Sequence, residues 1–327
     1  MKKFALAAVA AAAMTAGVAQ AYTVGTFSNG LVVPNVIHNG AASTTAVGLV
    51  NQSGRTIPVF WTWFDQNSNH GVDGCFPMTN KQYTGFNWAA ASGVGMEGKR
   101  GYLVFAVGSG GAGLTTANAC AVGNASLATQ ADAGTSGQLA GNAFFVDVAS
   151  KSVAFTPVID GPLTLLAATN LTTMDALSLV SVAGAASVAP TLQMSMRYFI
   201  DGTVNSGNDT RIAVWSTGNH IGTHTVNIYD NAQNRQSVNF PLAESELSWF
   251  DPETIAGRPA AFTDGIIEWN PGVTPSGAPT GPVVAPFTAT SPLAATTGSV
   301  MTFSTIIAPS FGAVQTLLGA HRLSGAF

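Results

Sequence analysis

A chain of 327 residues with a formal net charge of −4 and only 9% charged side chains has no basic patch to offset phosphate, which argues against nucleic acid as a partner. Ordinary globular proteins carry roughly 25% charged residues. Here Ala, Gly, Ser, Thr and Asn take that place, and a surface so poor in charge has little repulsion to keep copies of itself apart.

The N-terminus reads Met1-Lys2-Lys3, then an almost uncharged run, then Ala19-Gln20-Ala21, the small-x-small pattern of a signal-peptidase site. Residues 1–21 are therefore expected to be a cleavable, bacterial-type signal peptide, and the mature chain to be exported to the cell surface, the medium or the periplasm. Tyr22 stands where a lipoprotein would have its acylated Cys, so no lipid anchor is expected. No later apolar stretch reaches the ~20 residues that a spanning helix needs.

Two segments repeat one pattern. The run beginning at Thr45 aligns without a gap on the run beginning at Thr210: Val47 and Leu49 fall on Ile212 and Val214, Trp61 and Trp63 on Val226 and Ile228, and Phe64-Asp65 on Tyr229-Asp230. Further on, Phe76-Pro77-Met78 meets Phe240-Pro241-Leu242, and Gly101–Phe105 meets Gly265–Trp269. This is the signature of a tandem duplication, with a first domain at 22–160 and a second at 161–327.

Alternation at Val59–Phe64, short β-branched and aromatic runs, and turn clusters such as His38-Asn39-Gly40 and Gln52-Ser53-Gly54 predict an all-β fold. The expected architecture is two immunoglobulin-like β-sandwiches. Trp61, Trp63, Val226 and Ile228 are assigned to the buried face. Phe60 and Thr62, aligned with Thr225 and Asn227, are assigned to the wetter one, which makes Phe60 a candidate exposed aromatic contact.

Cys75 and Cys120 are the only cysteines, and in an oxidising compartment they are expected to form one disulfide. Closing that loop contributes about 3–4 kcal/mol in the chain-entropy model. Thr173–Ala185 fits either a helix or a strand. Asp251-Pro252-Glu253 reads as an N-cap, a first-turn Pro and a first-turn acid, which predicts a short helical turn. Small-residue residues 108–140 and Pro-rich residues 270–297 form two long loops at the same point of each copy. Loops of this length in compact domains are usually functional or disordered.

No nucleophile elbow, P-loop, dinucleotide fingerprint or haem site occurs, so no cofactor and no enzymatic activity are expected. Asp65-Gln66-Asn67-Ser68-Asn69-His70-Gly71 starts like a calcium loop, but Phe76 replaces the bidentate Glu at position twelve. Across Asp65–Asp73 an Asx-bonded hairpin turn is the better reading. His220 and His224 have metal spacing only on a helix; along a strand they lie roughly 13 Å apart. The acids Glu244, Glu246, Asp251 and Glu253 are the sole support for a hydrolase, with Glu244 and Glu246 expected to share a strand face.

The leading expectation is a non-enzymatic secreted or cell-surface structural or interaction protein, self-associating as a surface-layer or filament subunit or binding another surface protein. The alternatives are a glycan-binding module using Phe60, an outer-membrane barrel ending at Phe327, and a secreted hydrolase.

Overall fold

A computed structural model describes residues 25–110, 113–128, 138–148, 151–166, 169–204, 207–276, 298–309 and 313–323. The expected signal peptide, most of loop 270–297, and residues 111–112 and 129–137 of loop 108–140 lie outside the described residues. The described chain is almost entirely antiparallel β, and none of its helices is long and apolar enough to cross a membrane.

The first half contributes β1 (Gly30–Val36), β2 (Ser43–Asn51), β3 (Ile57–Asp65), β4 (His70–Met78), β5 (Tyr83–Asn87), helical turn α1 (Trp88–Ala91), β6 (Gly101–Val107), helical turn α2 (Ala119–Val122), β7 (Leu139–Asp147), β8 (Ser152–Thr156) and β9 (Ile159–Asp160). They form two sheets, ordered β4-β3-β6-β1-β9 and β5-β2-β7-β8. One apolar core draws on both sheets: Trp61, Trp63, Leu103 and Phe105 from the first, and Val47, Leu49, Phe86 and Ala143 from the second. Trp88 of α1 plugs this core, stacked on Trp63 and edge-on to Trp61.

A connecting segment follows, with β10 (Leu163–Leu165) paired to β11 (Leu179–Val182), and then β12 (Ala186–Ser187). The ambiguous stretch 173–185 therefore contains a strand. The second half has β13 (Leu192–Phe199), β14 (Asp209–Ser216), β15 (Gly222–Asp230), β16 (Arg235–Leu242), β17 (Leu247–Phe250), β18 (Asp264–Trp269), β19 (Ser299–Ala308), β20 (Ala313–Leu318) and β21 (Ala320–Leu323). Its sheets run β16-β15-β18-β13-β21 and β12-β19-β14-β17, with β20 also on β19. The order β4-β3-β6-β1 thus recurs as β16-β15-β18-β13, and β5-β2-β7-β8 as β17-β14-β19-β20. Val226 and Ile228 face the second half's core with Ile212, Val214 and Trp269.

The two hairpins close alike. Asp65 Oδ1 accepts the Asn67 and Asn69 amides, and Asp230 Oδ1 accepts those of Ala232 and Asn234. Ser68 and Gln233 hold the same left-handed position, with φ of 61° and 69°. Asp251 caps a single turn at Pro252–Thr254 by accepting the Glu253 amide, as its sequence predicts.

One face assignment is overturned. Phe60 is only 2% exposed and Thr62 is fully buried, because the second face of the β4-β3-β6-β1-β9 sheet is also covered. A third core lies there: Phe60, Phe64, Tyr102 and Val104 pack with Leu171, Met174 and Leu179 of the connecting segment and with Trp215, Leu247 and Met301 of the second half. A strand buried on both faces reads as a near-continuous apolar run, and the run from Val59 to Phe64 is one. In the second half the described residues leave this face more open, with Thr225 exposed and Asn227 half-buried.

Candidate functional site

The sulfurs of Cys75 on β4 and Cys120 on α2 lie 2.11 Å apart, a disulfide-bonded pair. It ties the described part of loop 108–140 to the β3–β4 hairpin. A Cβ on Gly123, just after α2, would meet the Pro58 ring at 2.4 Å, so the loop lies close against β3.

Asp65, His70 and His224 are occupied by protein contacts, whereas the two ring nitrogens of buried His220 have no hydrogen-bond partner among the described residues. Asp65 spends its carboxylate on the hairpin turn, and His70 contacts the Met174 carbonyl and Asp73. His224 Nε2 donates to the His220 carbonyl, while its Nδ1 accepts the Trp269 indole N–H at 3.1 Å. This leaves no lone pair of His224 for an ion. Burial lowers the pKa of both rings, that of His220 to about 3, so both are neutral at physiological pH.

The acids separate into two groups. Asp251 and Glu253 come together with Asp209, their carboxylate oxygens within 4.8 Å of one another and all three buried. Arg211 bridges Asp209 and Asp251, and Glu253 Oε1 accepts the Gly202 amide. The guanidinium sits where a cation would, so this group is a folded ion cluster. Burial, opposed by Arg211 and reinforced by Asp251 and Glu253, pushes Asp209 up to about 6.

Glu244 and Glu246 do not share a strand face as expected. They lie in the bend before β17 and dock on the first half. Glu244 accepts from the Asn67 side chain, and Glu246 accepts from the Tyr102 hydroxyl, which also contacts Ser68. The amides of Glu246 and Leu247 both donate to the Gln66 carbonyl. The β3–β4 turn is thus locked to the second half by a buried polar cluster. Burial raises the Glu246 carboxyl to about 8, so it is protonated at neutral pH.

The surface feature that stands out is the outer face of the β5-β2-β7-β8 sheet. Val47, Leu49 and Phe86 point into the core, which leaves Ala46, Gly48, Tyr83, Gly85, Asn87, Asn142 and Phe144 outward. Gly48 pairs with Gly85, so the centre of this face has no side chains over two strands. Tyr83, 66% exposed, lies across the gap: a Cβ on Gly48 would sit 2.8 Å from its hydroxyl and 2.7 Å from Asn142 Oδ1. The result is a shallow depression of about 330 Å³. Beside it Phe144 packs edge-on against Phe155, both 38% exposed, with exposed Val153 beyond. These outward residues carry no charge.

No protein-family model matches the chain. No curated protein matches it either. Among solved structures, the oxalate decarboxylase of Bacillus subtilis at pH 4.6 is similar at 10% identity and a TM-score of 0.16, over 74% of this chain and 62% of that one. A deletion mutant of the same enzyme gives 11% identity and a TM-score of 0.15, over 74% and 63%. The chain spans less than two thirds of the length of these proteins.

The sequence held a signal for the outer face that periodicity alone did not use. Gly in a strand interior marks a bulge or a close approach, and Gly48 and Gly85 each stand mid-strand between residues that alternate in and out.

Proposed function

We propose that the protein is an exported, non-enzymatic interaction protein made of two duplicated immunoglobulin-like sandwich domains, 22–160 and 161–327, and that it associates with copies of itself through the outer face of the β5-β2-β7-β8 sheet. The observation that carries this reading is an exposed face bearing Tyr83, Phe144, Val153 and Phe155 with no charged residue among them. In a two-fold contact the same patch supplies both sides, so a residue near the axis meets its own image. A charged face repels itself in that geometry, whereas an uncharged aromatic one does not. Tyr and Phe are also the residue types that anchor protein contacts. The recurring strand order and the paired Asp65 and Asp230 turns support duplication, and the Cys75–Cys120 pair supports an oxidising destination. Sedimentation and negative-stain imaging of the purified mature chain test the reading: it predicts concentration-dependent ordered assemblies, and a strict monomer at high concentration contradicts it.

A second reading has one observation in its favour. An aromatic ring beside a glycine-floored depression flanked by the Asn87 and Asn142 amides suits a sugar, whose apolar face stacks while its hydroxyls meet amides. Glycan-array binding that Tyr83→Ala abolishes, by a chain that stays monomeric, would favour this module over self-assembly.

A further inference from the structure

A cavity of about 630 Å³ opens where the two halves meet, within the roughly 300–1,000 Å³ typical of small-molecule sites. One wall comes from the first half: Asn35 on β1, Arg100 just before β6, and Phe145 on β7. The facing wall is the outer side of the second half's sheet, with Trp249 on β17 and Phe303 and Thr305 on β19.

Arg100 is the unusual group. Its guanidinium lies over the Trp249 ring, 4.3 Å from the centroid, and Nη1 donates to Asn35 Oδ1 at 2.6 Å. Among the described residues no carboxylate forms an ion pair with it and no further group accepts a hydrogen bond from it. Of the described arginines of the second half, Arg197, Arg211, Arg258 and Arg322 have an acid or carbonyl partner, and Arg235, which bonds the Asn227 side chain, is exposed to water. Arg211 also lines this cavity and adds like charge, which together with burial lowers the pKa of Arg100 to about 10. Asp147 shares the wall. A desolvated cation facing open volume beside aromatic rings is costly unless an anion completes it.

We propose that this cavity binds an amphipathic organic anion, its acid group on the free edge of Arg100 and its apolar body against Phe145 and Phe303. The stacked indole and Asn35 hold the guanidinium plane, so its open N–H pair is fixed to meet two oxygens of one carboxylate, sulfonate or phosphate group. The cavity adjoins the outer sheet face at Phe155, but its acid subsite at Arg100 lies on another strand and does not depend on self-association.

The test uses the full mature chain, disulfide intact, with two fluorescent probes of the same shape: 8-anilino-1-naphthalenesulfonate, and N-phenyl-1-naphthylamine, which lacks the acid. Saturable binding of one sulfonate probe per chain is expected, with Trp quenching, and with affinity reduced at least about tenfold by Arg100→Gln while the neutral probe is unaffected, the size expected for one charged hydrogen-bonded contact. Thr305→Trp, which fills the cavity, should remove both. Should Arg100→Gln fail to fold, as read by thermal unfolding, Arg100→Lys and Thr305→Trp decide the matter. Equal affinity for the two probes, an unchanged sulfonate affinity in the Arg100 variants, or unchanged binding in Thr305→Trp would overturn the proposal.

Discussion

The Tyr102 hydroxyl donates a 2.6 Å hydrogen bond to the Glu246 carboxyl across the junction of the two halves, at a point where both side chains are buried. Tyr102 stands on β6 with its ring stacked on Phe64 and edge-on to Trp215 of the second half. The bond therefore sits inside an apolar contact, where water cannot replace it. Glu246 Oε1 has no protein partner among the described residues, which adds to the penalty for ionising the group.

This makes stability fall with alkaline pH. The folded carboxyl titrates at about 8 against an ordinary value of 4.5, so between those limits the folded chain holds a proton that the unfolded chain releases. Its contribution is complete below pH 4.5 and is lost as pH rises through 8, with a limiting slope of about 1.4 kcal/mol per pH unit. Asp160 and Asp209, both raised to about 6, act in the same direction lower down. His220 and His224, with lowered values, act in the opposite direction below 6.5. The window from pH 6.5 to 8 isolates Glu246. Thermal unfolding should show the wild-type chain losing stability across that window and Glu246→Gln losing much less; parallel pH profiles would contradict the assignment.

Phe60→Ala should cost about 3–5 kcal/mol in denaturant unfolding, the range for removing a buried Phe, and should leave association unchanged. A cost below 1 kcal/mol would mean that the ring is not enclosed by the connecting segment as described.

Replacing Cys75 and Cys120 by Ser together should lower stability by about 4 kcal/mol, from the entropy of a loop of 45 residues. Equal unfolding midpoints for the variant and the oxidised wild type would show that the pair does not close in the native protein.

How far these features were legible differs residue by residue. Trp61 and Trp63 against Val226 and Ile228 were readable as inward positions because alternation is a property of one strand, and both pairs are in cores. The Asp65 and Asp230 turns were readable because an Asx turn is closed by residues two to four apart. Phe60 was misread because its cover comes from Leu179, Trp215 and Met301, more than a hundred residues away, and no local pattern records which sheet face a second half will meet. Glu246 was visible only as one acid among several; its raised titration comes from burial against the other half, which the hydrogen bonds from Ser68 and Tyr102 only partly oppose. The Arg100 cavity combines residues from Asn35 to Thr316, and a charge with no ion-pair partner among the described residues cannot be recognised before its surroundings are known.

Self-association through the outer face of the β5-β2-β7-β8 sheet is tested most directly by analytical ultracentrifugation of the chain from residue 22 onward beside its Tyr83→Ser/Phe144→Ser variant over a wide concentration range. Both side chains are exposed, so the double variant should unfold at nearly the wild-type temperature. The account predicts that the wild type self-associates and that the variant stays monomeric at the same concentrations. Identical sedimentation of the two, whether both assemble or both remain single, would contradict it.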